Sequence, residues 1–536
     1  MLALNAGEGP TSQPDHSSWA WIWLVAALAA YCVLRLALLP ADGAVCGGMS
    51  HDGAYLSIVA DQVRTGHGFV NPAHWLLLLN PEKLPMPYHN ANPGYPASMS
   101  VLGALPGMDV VRAGFAISAL SNALLALAVF ALVRHYARWQ AAALVAVAVA
   151  TSPAMWRDSL NLVPDALCTA LSVAAIALAV RRRGWAGAAL AGIVLGLAWE
   201  MRSSASLALL PLAWWLFRTR PRKEAAQSIL LFLAGFLVAI SPWLIHTQRV
   251  WGSPFRSDAG IYLLQSYLAR PLGGNVDFFW RSLDTPPGLG EILRREPVQF
   301  VAAYVKGLPY FAYILLAEIA GWNKLLAACY VFLTGFAGWT FRRRLGSPEL
   351  QAGGLLALLT LAVLAVRAHG FELRYLGPAL VLWVIFMVAA LWQRLSSARA
   401  REWTRPALAL AGVGVLSALL IAWQDLSGFR LRAGRSPELA AMRDDYRQVA
   451  AQLPPDARVL VSFPYLYTLY TGRTSLSPPY APKPKVIAFL SKYSARYMAL
   501  PTEQLNYYYP DAVRQLAPEI RELKTVGPLT LFEVQP

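Results

Sequence analysis

Apolar runs of roughly twenty residues recur along this chain, and each is about the length that crosses the hydrocarbon core of a bilayer. Eleven such spans are read, near residues 19–39, 110–133, 140–156, 163–180, 185–200, 203–217, 227–246, 325–341, 351–367, 375–392 and 406–423. Composition agrees. The 536 residues are 57% apolar and 14% charged, against about 25% charged in ordinary soluble domains. The fold class expected is a polytopic α-helical membrane protein of about eleven transmembrane helices, with a small C-terminal α/β domain.

The net charge of +16 would suit a nucleic-acid partner, but its distribution does not. Basic residues gather in short loops: Arg134 and Arg138; Arg181, Arg182 and Arg183; Arg218, Arg220, Arg222 and Lys223; Arg342, Arg343 and Arg344; Arg394, Arg399, Arg401 and Arg405. With the spans counted as above, all five loops fall on one side. The positive-inside rule makes that side cytoplasmic. The N-terminus is then cytoplasmic and the C-terminal segment outside. No cleavable signal is read, because the first apolar run is long and lacks a basic flank.

Three outside segments follow: a loop of residues 40–109, a stretch 247–324, and a tail 424–536. This divides the chain into a transmembrane unit, 1–423, and a soluble unit, 424–536. Residues 299–320 are apolar enough to cross, but crossing there would put every later basic loop outside, so the stretch is read as interfacial or re-entrant. In the tail, a helix is expected over Pro437–Leu453. Strands are expected at Asp456–Ser462, Ala495–Leu500 and Leu529–Val534.

Within the first outer loop, Tyr55, Leu56, Ile58, Val59 and Val63 repeat at helical spacing. Asp52 stands at the N-cap position and Gly66 at the C′ position. The spacing predicts an amphipathic helix over 53–65, lying along the membrane. Ionisable groups at a membrane are costly and so are read first as functional candidates. Asp52 could accept a proton from an attacking hydroxyl, a role compatible with capping. Asp165, after Pro164, begins a span on the same face, as a first-turn acid would. Arg202, Arg249 and Arg374 sit beside spans on that face, against the charge bias, and arginine is the natural fork for a phosphate. His51, His67, His74 and His89 share the first loop with Asp52 and Glu82. A divalent metal on Asp52, His51 and His89 is one reading of that group, although the spacing fits no known ligand pattern. Cys32, Cys46, Cys168 and Cys329 are too few for a disulfide framework. The chain has no phosphate-cradling glycine loop and no dinucleotide fingerprint.

Several short motifs, taken in order, resemble the GT-C superfamily of lipid-phosphate-sugar-dependent glycosyltransferases. They are most similar to the bacterial relatives of the protein O-mannosyltransferases and of the lipid A aminoarabinose transferase. His51-Asp52-Gly53-Ala54-Tyr55-Leu56 with Gly66-His67-Gly68-Phe69 resembles the first-loop motif. Pro93-Gly94-Tyr95-Pro96 matches a turn before the second span. Val163-Pro164-Asp165, Gly196-Leu197-Ala198 with Arg202, Ser241-Pro242-Trp243 with Gly252-Ser253-Pro254, and Arg374-Tyr375 with Pro378 resemble later segments. His246 stands where an arginine is frequent, and Gly53 where many relatives carry a second acid. The lysine-proline pair of the aminoarabinose transferases is absent from the first loop, where Asn92-Pro93-Gly94 stands instead.

The resemblance implies an inverting transfer of one sugar from a polyprenyl-phosphate donor to a lipid, glycan or protein acceptor. It implies a bacterial inner-membrane protein with its tail in the periplasm. Asp52 would act as base or position the acceptor hydroxyl, and Asp165 would assist it or share a metal. Arg202, Arg374 and Arg249 would hold the donor phosphate. His51, Tyr55, Tyr95 and His246 would line the substrate site. These residues fix no cofactor, and the divalent metal is left open. A flippase or a polymerase of lipid-linked saccharides is the alternative reading.

Overall fold

A computed structural model describes residues 17–75, 84–88, 92–136, 139–182, 184–255, 324–344, 346–365, 376–395, 434–478, 483–502 and 519–535, with short helical pieces between 290 and 313. The expected span 406–423, together with His89, Arg374 and Glu82, lies outside the described residues.

Helices occupy the predicted apolar runs. In chain order they are α1 (Ser17–Ala37), α2 (His51–Arg64), α3 (Gly94–Gly103), α4 (Val110–Arg134), α5 (Trp139–Ala150), α6 (Pro153–Leu160), α7 (Asp165–Arg181), α8 (Trp185–Met201), α9 (Leu209–Thr219), α10 (Arg222–Trp251), α11 (Lys324–Phe341), α12 (Pro348–Ala365) and α13 (Gly377–Leu395). Among the described residues, α4 and α10 are long and apolar enough to cross a membrane by length and composition alone. The single run expected over 140–156 is two helices. Pro153 cannot donate to the helix ladder and Ser152 is extended (ψ 141°), so α5 stops and α6 begins. The run 203–217 opens as a 3-10 turn, Ser203–Ala208, before α9.

Small residues let these helices approach closely, the usual device where lipid removes any hydrophobic drive between them. A Cβ added at Gly196 of α8 would lie 2.8 Å from the Phe236 carbonyl oxygen of α10. On α1, Arg35 is wholly buried. Its Nη2 donates to the Leu160 carbonyl (3.0 Å) and its guanidinium lies 5.1 Å from the centre of the Phe115 ring. The bundle is thereby pinned to the segment that leads into α7.

The tail contains the expected helix, α14 (Pro437–Ala451), with Ser436 as its N-cap, and two further helices, α15 (Pro464–Thr471) and α16 (Lys483–Lys492). Its sheet is mixed and six-stranded, in the order β2-β5-β4-β6-β8-β7. The strands are β4 (Val459–Val461), β5 (Ser475–Leu476), β6 (Tyr497–Pro501), β7 (Ile520–Val526) and β8 (Leu529–Val534), with β2 (Ala73–His74) supplied by the first outer loop. β2 pairs parallel with β5, so the sheet is completed from the far end of the sequence. In the same loop β1 (Val70–Asn71) pairs antiparallel with β3 (Met86–Pro87).

The reading of α2 as a helix lying on a membrane surface is corrected. All residues from Gly53 to Ala60 are buried. The helix has no broad polar face in that half because α3 packs on one side and the tail's α15 on another. The capping role is corrected as well. Ser50 is the N-cap, extended at φ −108° and ψ 172°, and its Oγ accepts from the Gly53 N–H (3.0 Å). Asp52 lies within the first turn. Gly66 adopts φ +85°, as a C′ glycine does.

Candidate functional site

The first loop is seated on the bundle by close backbone approaches. A Cβ on Gly53 would meet the Leu162 carbonyl oxygen at 3.0 Å, so the start of α2 rests on the segment leading into Asp165. A Cβ on Gly94 would lie 2.8 Å from both the Glu200 carbonyl carbon and its oxygen. The Pro93-Gly94-Tyr95-Pro96 motif is therefore a helix start wedged against the end of α8, rather than a free turn. Asn92 reinforces it by donating from Nδ2 to the Trp199 carbonyl.

Asp165 and Arg202 meet at this junction. Arg202 Nη1 lies 2.5 Å from Asp165 Oδ1. The Asp165 side chain is 0% exposed and that of Arg202 is 22% exposed. Asp165 opens α7, in its first turn as expected, with Pro164 at the cap position. Removing a charge from water is costly unless it is paired, and this pair compensates both charges. Charge-assisted pairing also fixes the guanidinium plane. The sequence placed these two residues on one face, and the structure joins them.

Asp52 is exposed at the start of α2. Its neighbour His51 is packed between rings. The Trp75 centroid is 4.2 Å away and the Tyr465 centroid 4.5 Å away. Neither ring nitrogen has a hydrogen-bond partner. Burial lowers the imidazole pKa to about 4, opposed by the negative charge of Asp52. Burial raises the Tyr88 phenol well above its ordinary value, and Asp52 adds to that. Tyr55 stacks on Tyr88 (5.5 Å) and tilts against Tyr465 (4.8 Å).

The end of α10 contributes the other wall. Pro242 cannot donate to Val238, whose carbonyl instead accepts from Ser241 Oγ (2.9 Å). Trp243 then packs on Tyr88 (5.9 Å) and Phe69 (5.5 Å), and His246 stacks on Trp243 (4.8 Å). Gly252 ends the helix at φ +69°, and Thr247 Oγ1 donates to the Pro254 carbonyl (2.8 Å). That hydrogen bond folds the Gly252-Ser253-Pro254 motif back on the helix.

Two further candidates are Tyr95 and Arg249. Tyr95 is fully buried. Its hydroxyl donates to the Gly114 carbonyl (2.9 Å) and lies 2.8 Å from Ser118 Oγ, so it ties α3 to α4. Arg249 is exposed on the last turn of α10. Among the described residues no group of three or more His, Cys, Asp or Glu side chains is placed to hold a metal, and His89 of the metal reading lies outside them. Cys32, Cys46 and Cys168 are buried and outside any disulfide.

Two features escaped the sequence reading. Glu200 is buried and its Oε1 lacks a hydrogen-bond partner. Its position two residues before Arg202 was the available signal. Tyr465 had none, because it reaches the site only through the folding of the tail.

Residues 93–246 match the family model of dolichyl-phosphate-mannose-protein mannosyltransferase. No curated protein matches the sequence significantly. Among solved structures, the oligosaccharyltransferase of Archaeoglobus fulgidus, in complex with Zn and sulfate, is similar at a TM-score of 0.58 and 16% identity, over 91% of this chain and 69% of that one. ArnT from Cupriavidus metallidurans, bound to undecaprenyl phosphate, is similar at 0.55 and 14%, over 97% and 98%. The arabinofuranosyltransferase AftD from mycobacteria is similar at 0.53 and 15%, over 96% of this chain and 40% of that one. At such identities the likeness is one of fold.

Proposed function

We propose that this chain is a membrane glycosyltransferase of GT-C type moving one sugar from a polyprenyl-phosphate donor to an acceptor, a reading supported by the fold likeness and the family-model match over residues 93–246. The acceptor is a lipid, a glycan or a protein. In this reading the apolar helices and the run 406–423 are eleven spans of a bacterial inner membrane. The loop 40–109 and the tail then lie on the periplasmic side. The relative described as bound to undecaprenyl phosphate supports a lipid-phosphate donor.

The observation that carries the proposal is the Arg202–Asp165 pair beneath the first loop. A buried carboxylate holds the guanidinium in one orientation while part of the arginine stays accessible. That is the preorganised cation a departing phosphate requires. The acceptor hydroxyl attacks the anomeric carbon from the face opposite the phosphate. The new C–O bond forms as the anomeric bond to the phosphate oxygen breaks, which inverts the centre. Asp52, exposed at the α2 start, accepts the hydroxyl proton. The lipid phosphate leaves with the electron pair, held by Arg202 and, in this reading, Arg374 and Arg249. Tyr55 and His246 belong to the aromatic wall beside that point.

The test is sugar transfer by the purified protein in lipid vesicles, using labelled polyprenyl-phosphate sugars and a cell-envelope extract as acceptor. Transfer of one residue per polyprenyl phosphate released is the expected result. Translocation of the intact lipid-linked sugar without cleavage would replace this reading with a flippase.

A further inference from the structure

Two polar atoms near the C-terminal ends of α8 and α10 are buried without a hydrogen-bond partner. Glu200 of α8 is 8% exposed, and its Oε1 accepts from no group. His246 of α10 is half-buried, and its Nε2 has no partner either. The two helices run side by side in the same direction. A Cβ on Gly192 would meet the Phe232 carbonyl oxygen, and one on Gly196 would lie 2.8 Å from the Phe236 carbonyl oxygen and 2.5 Å from the Ala239 Cβ. Glu200 is one turn beyond Gly196 on that stripe, which sets it level with Ile240 and Trp243. His246 lies three residues past Trp243, about 4.5 Å further along the helix axis, and stacks on its ring. The main chain at Glu200 is fixed by the close approach of Gly94.

We propose that Glu200 and His246 determine sugar specificity by hydrogen-bonding the hydroxyl groups of the donor sugar. A buried polar group without a partner costs stability, and each one in a folded protein calls for a cause. Here two such atoms sit on adjoining helix ends, about one turn apart, a separation that one sugar ring spans. A carboxylate accepts from a hydroxyl and a carboxylic acid donates to one; an imidazole nitrogen does either, according to its tautomer. A hydroxyl group both donates and accepts, so a sugar satisfies both atoms in any of these states. Trp243 is 7% exposed and edge-on to Phe69, so the rings here serve as an apolar wall and leave recognition to the polar atoms. Arg202 selects the donor rather than the acceptor. It is the C-cap of α8, two residues past Glu200. It holds the donor phosphate in the proposed function, and the donor sugar is bonded directly to that phosphate.

The choice of donor rests on the proposed function, and the experiment separates the two. Binding is measured on the full-length protein in lipid nanodiscs, by competition with fluorescent undecaprenyl phosphate. The competitors are undecaprenyl phosphate alone and undecaprenyl phosphate carrying glucose, mannose, galactose or arabinose. At least one sugar-bearing lipid is expected to bind about tenfold more tightly than the bare lipid, as one or two buried hydrogen bonds provide. Glu200→Met and His246→Phe keep the bulk of each side chain and remove its polar atoms. Each is expected to cut that advantage to about twofold or less, with the bare lipid bound within about twofold of wild type. The melting temperature of Glu200→Met is expected to rise, because an apolar group replaces an unpartnered buried oxygen. A lower melting temperature would give Glu200 a structural role and overturn the inference. So would an advantage retained in either variant, or no advantage for any of the four sugars. An advantage that both variants lose, in a protein that transfers no sugar, would keep the subsite and reject the proposed function. Sugar transfer with the advantage intact in the variants would keep the proposed function and reject the subsite.

Discussion

Of the two roles the sequence offered Asp52, the structure gives the helix cap to Ser50. An N-cap must be extended and must reach the amide three residues on, and Ser50 does both. Asp52 in the first turn still favours the positive end of the helix dipole, but it closes no cap. Ser50→Ala should therefore cost about 1 kcal/mol of stability and leave most of the turnover. Asp52→Asn should leave the melting temperature in place while kcat falls by about a hundredfold or more. Thermal melts and initial rates on the two variants check this. The Asp165–Arg202 pair behaves differently, because removing one partner leaves a buried charge uncompensated. Arg202→Ala should lose about 3 kcal/mol or more, and the double variant with Asp165→Asn should recover part of it. A double-mutant cycle by denaturant unfolding measures the coupling. His51 adds a pH dependence. Its pKa is held near 4 by burial, against 6.5 when free. Between those values the unfolded chain binds the proton and the folded chain does not, so stability rises with pH across that window. Melting temperatures should fall from pH 6.5 to pH 4, and His51→Phe should flatten that part of the curve.

At the scale of elements, the site depends on how closely loop and bundle approach. The start of α3 lies against the end of α8 because Gly94 presents no side chain to the Glu200 backbone. Gly94→Ala forces the two apart and should destabilise by about 1–3 kcal/mol, as overpacking does. It should also lower turnover without touching substrate, since Arg202 is the C-cap of α8. Rates compared with melting temperature test this. The motif containing Gly94 was legible as a motif, but its partner was not. Pairing Gly94 with Glu200 is a long-range contact that no local spacing announces. α2 teaches the same lesson. Its apolar repeat was read correctly as a helix. Its burial was not, because α15 lies about four hundred residues further along the chain.

The whole molecule is organised around a junction where the membrane-type bundle, the first loop and the tail meet. The tail's sheet borrows β2, and its α15 covers α2. Deleting residues 434–536 should uncover His51, Tyr55 and Leu476's strand partner. The remaining chain should transfer no sugar and be cleaved readily within residues 40–75 by added protease. Retained activity or unchanged protection would show that the loop holds its shape unaided.

The sequence by itself determined the helical, membrane-type character of this chain, because apolar length is a local property that survives any packing. It also carried the order of motifs, and so the likeness to GT-C proteins that fold and family model bear out. It placed Asp52, Asp165 and Arg202 on one face by counting spans. Only the tertiary structure decided that Asp165 and Arg202 are partners, that Tyr95 is a buried strut, and that Glu200 is enclosed. The strand from residues 73–74 and the ring of Tyr465 were likewise invisible beforehand. Each of these depends on contacts between segments far apart in the chain, and such contacts leave no periodicity in the sequence around either partner.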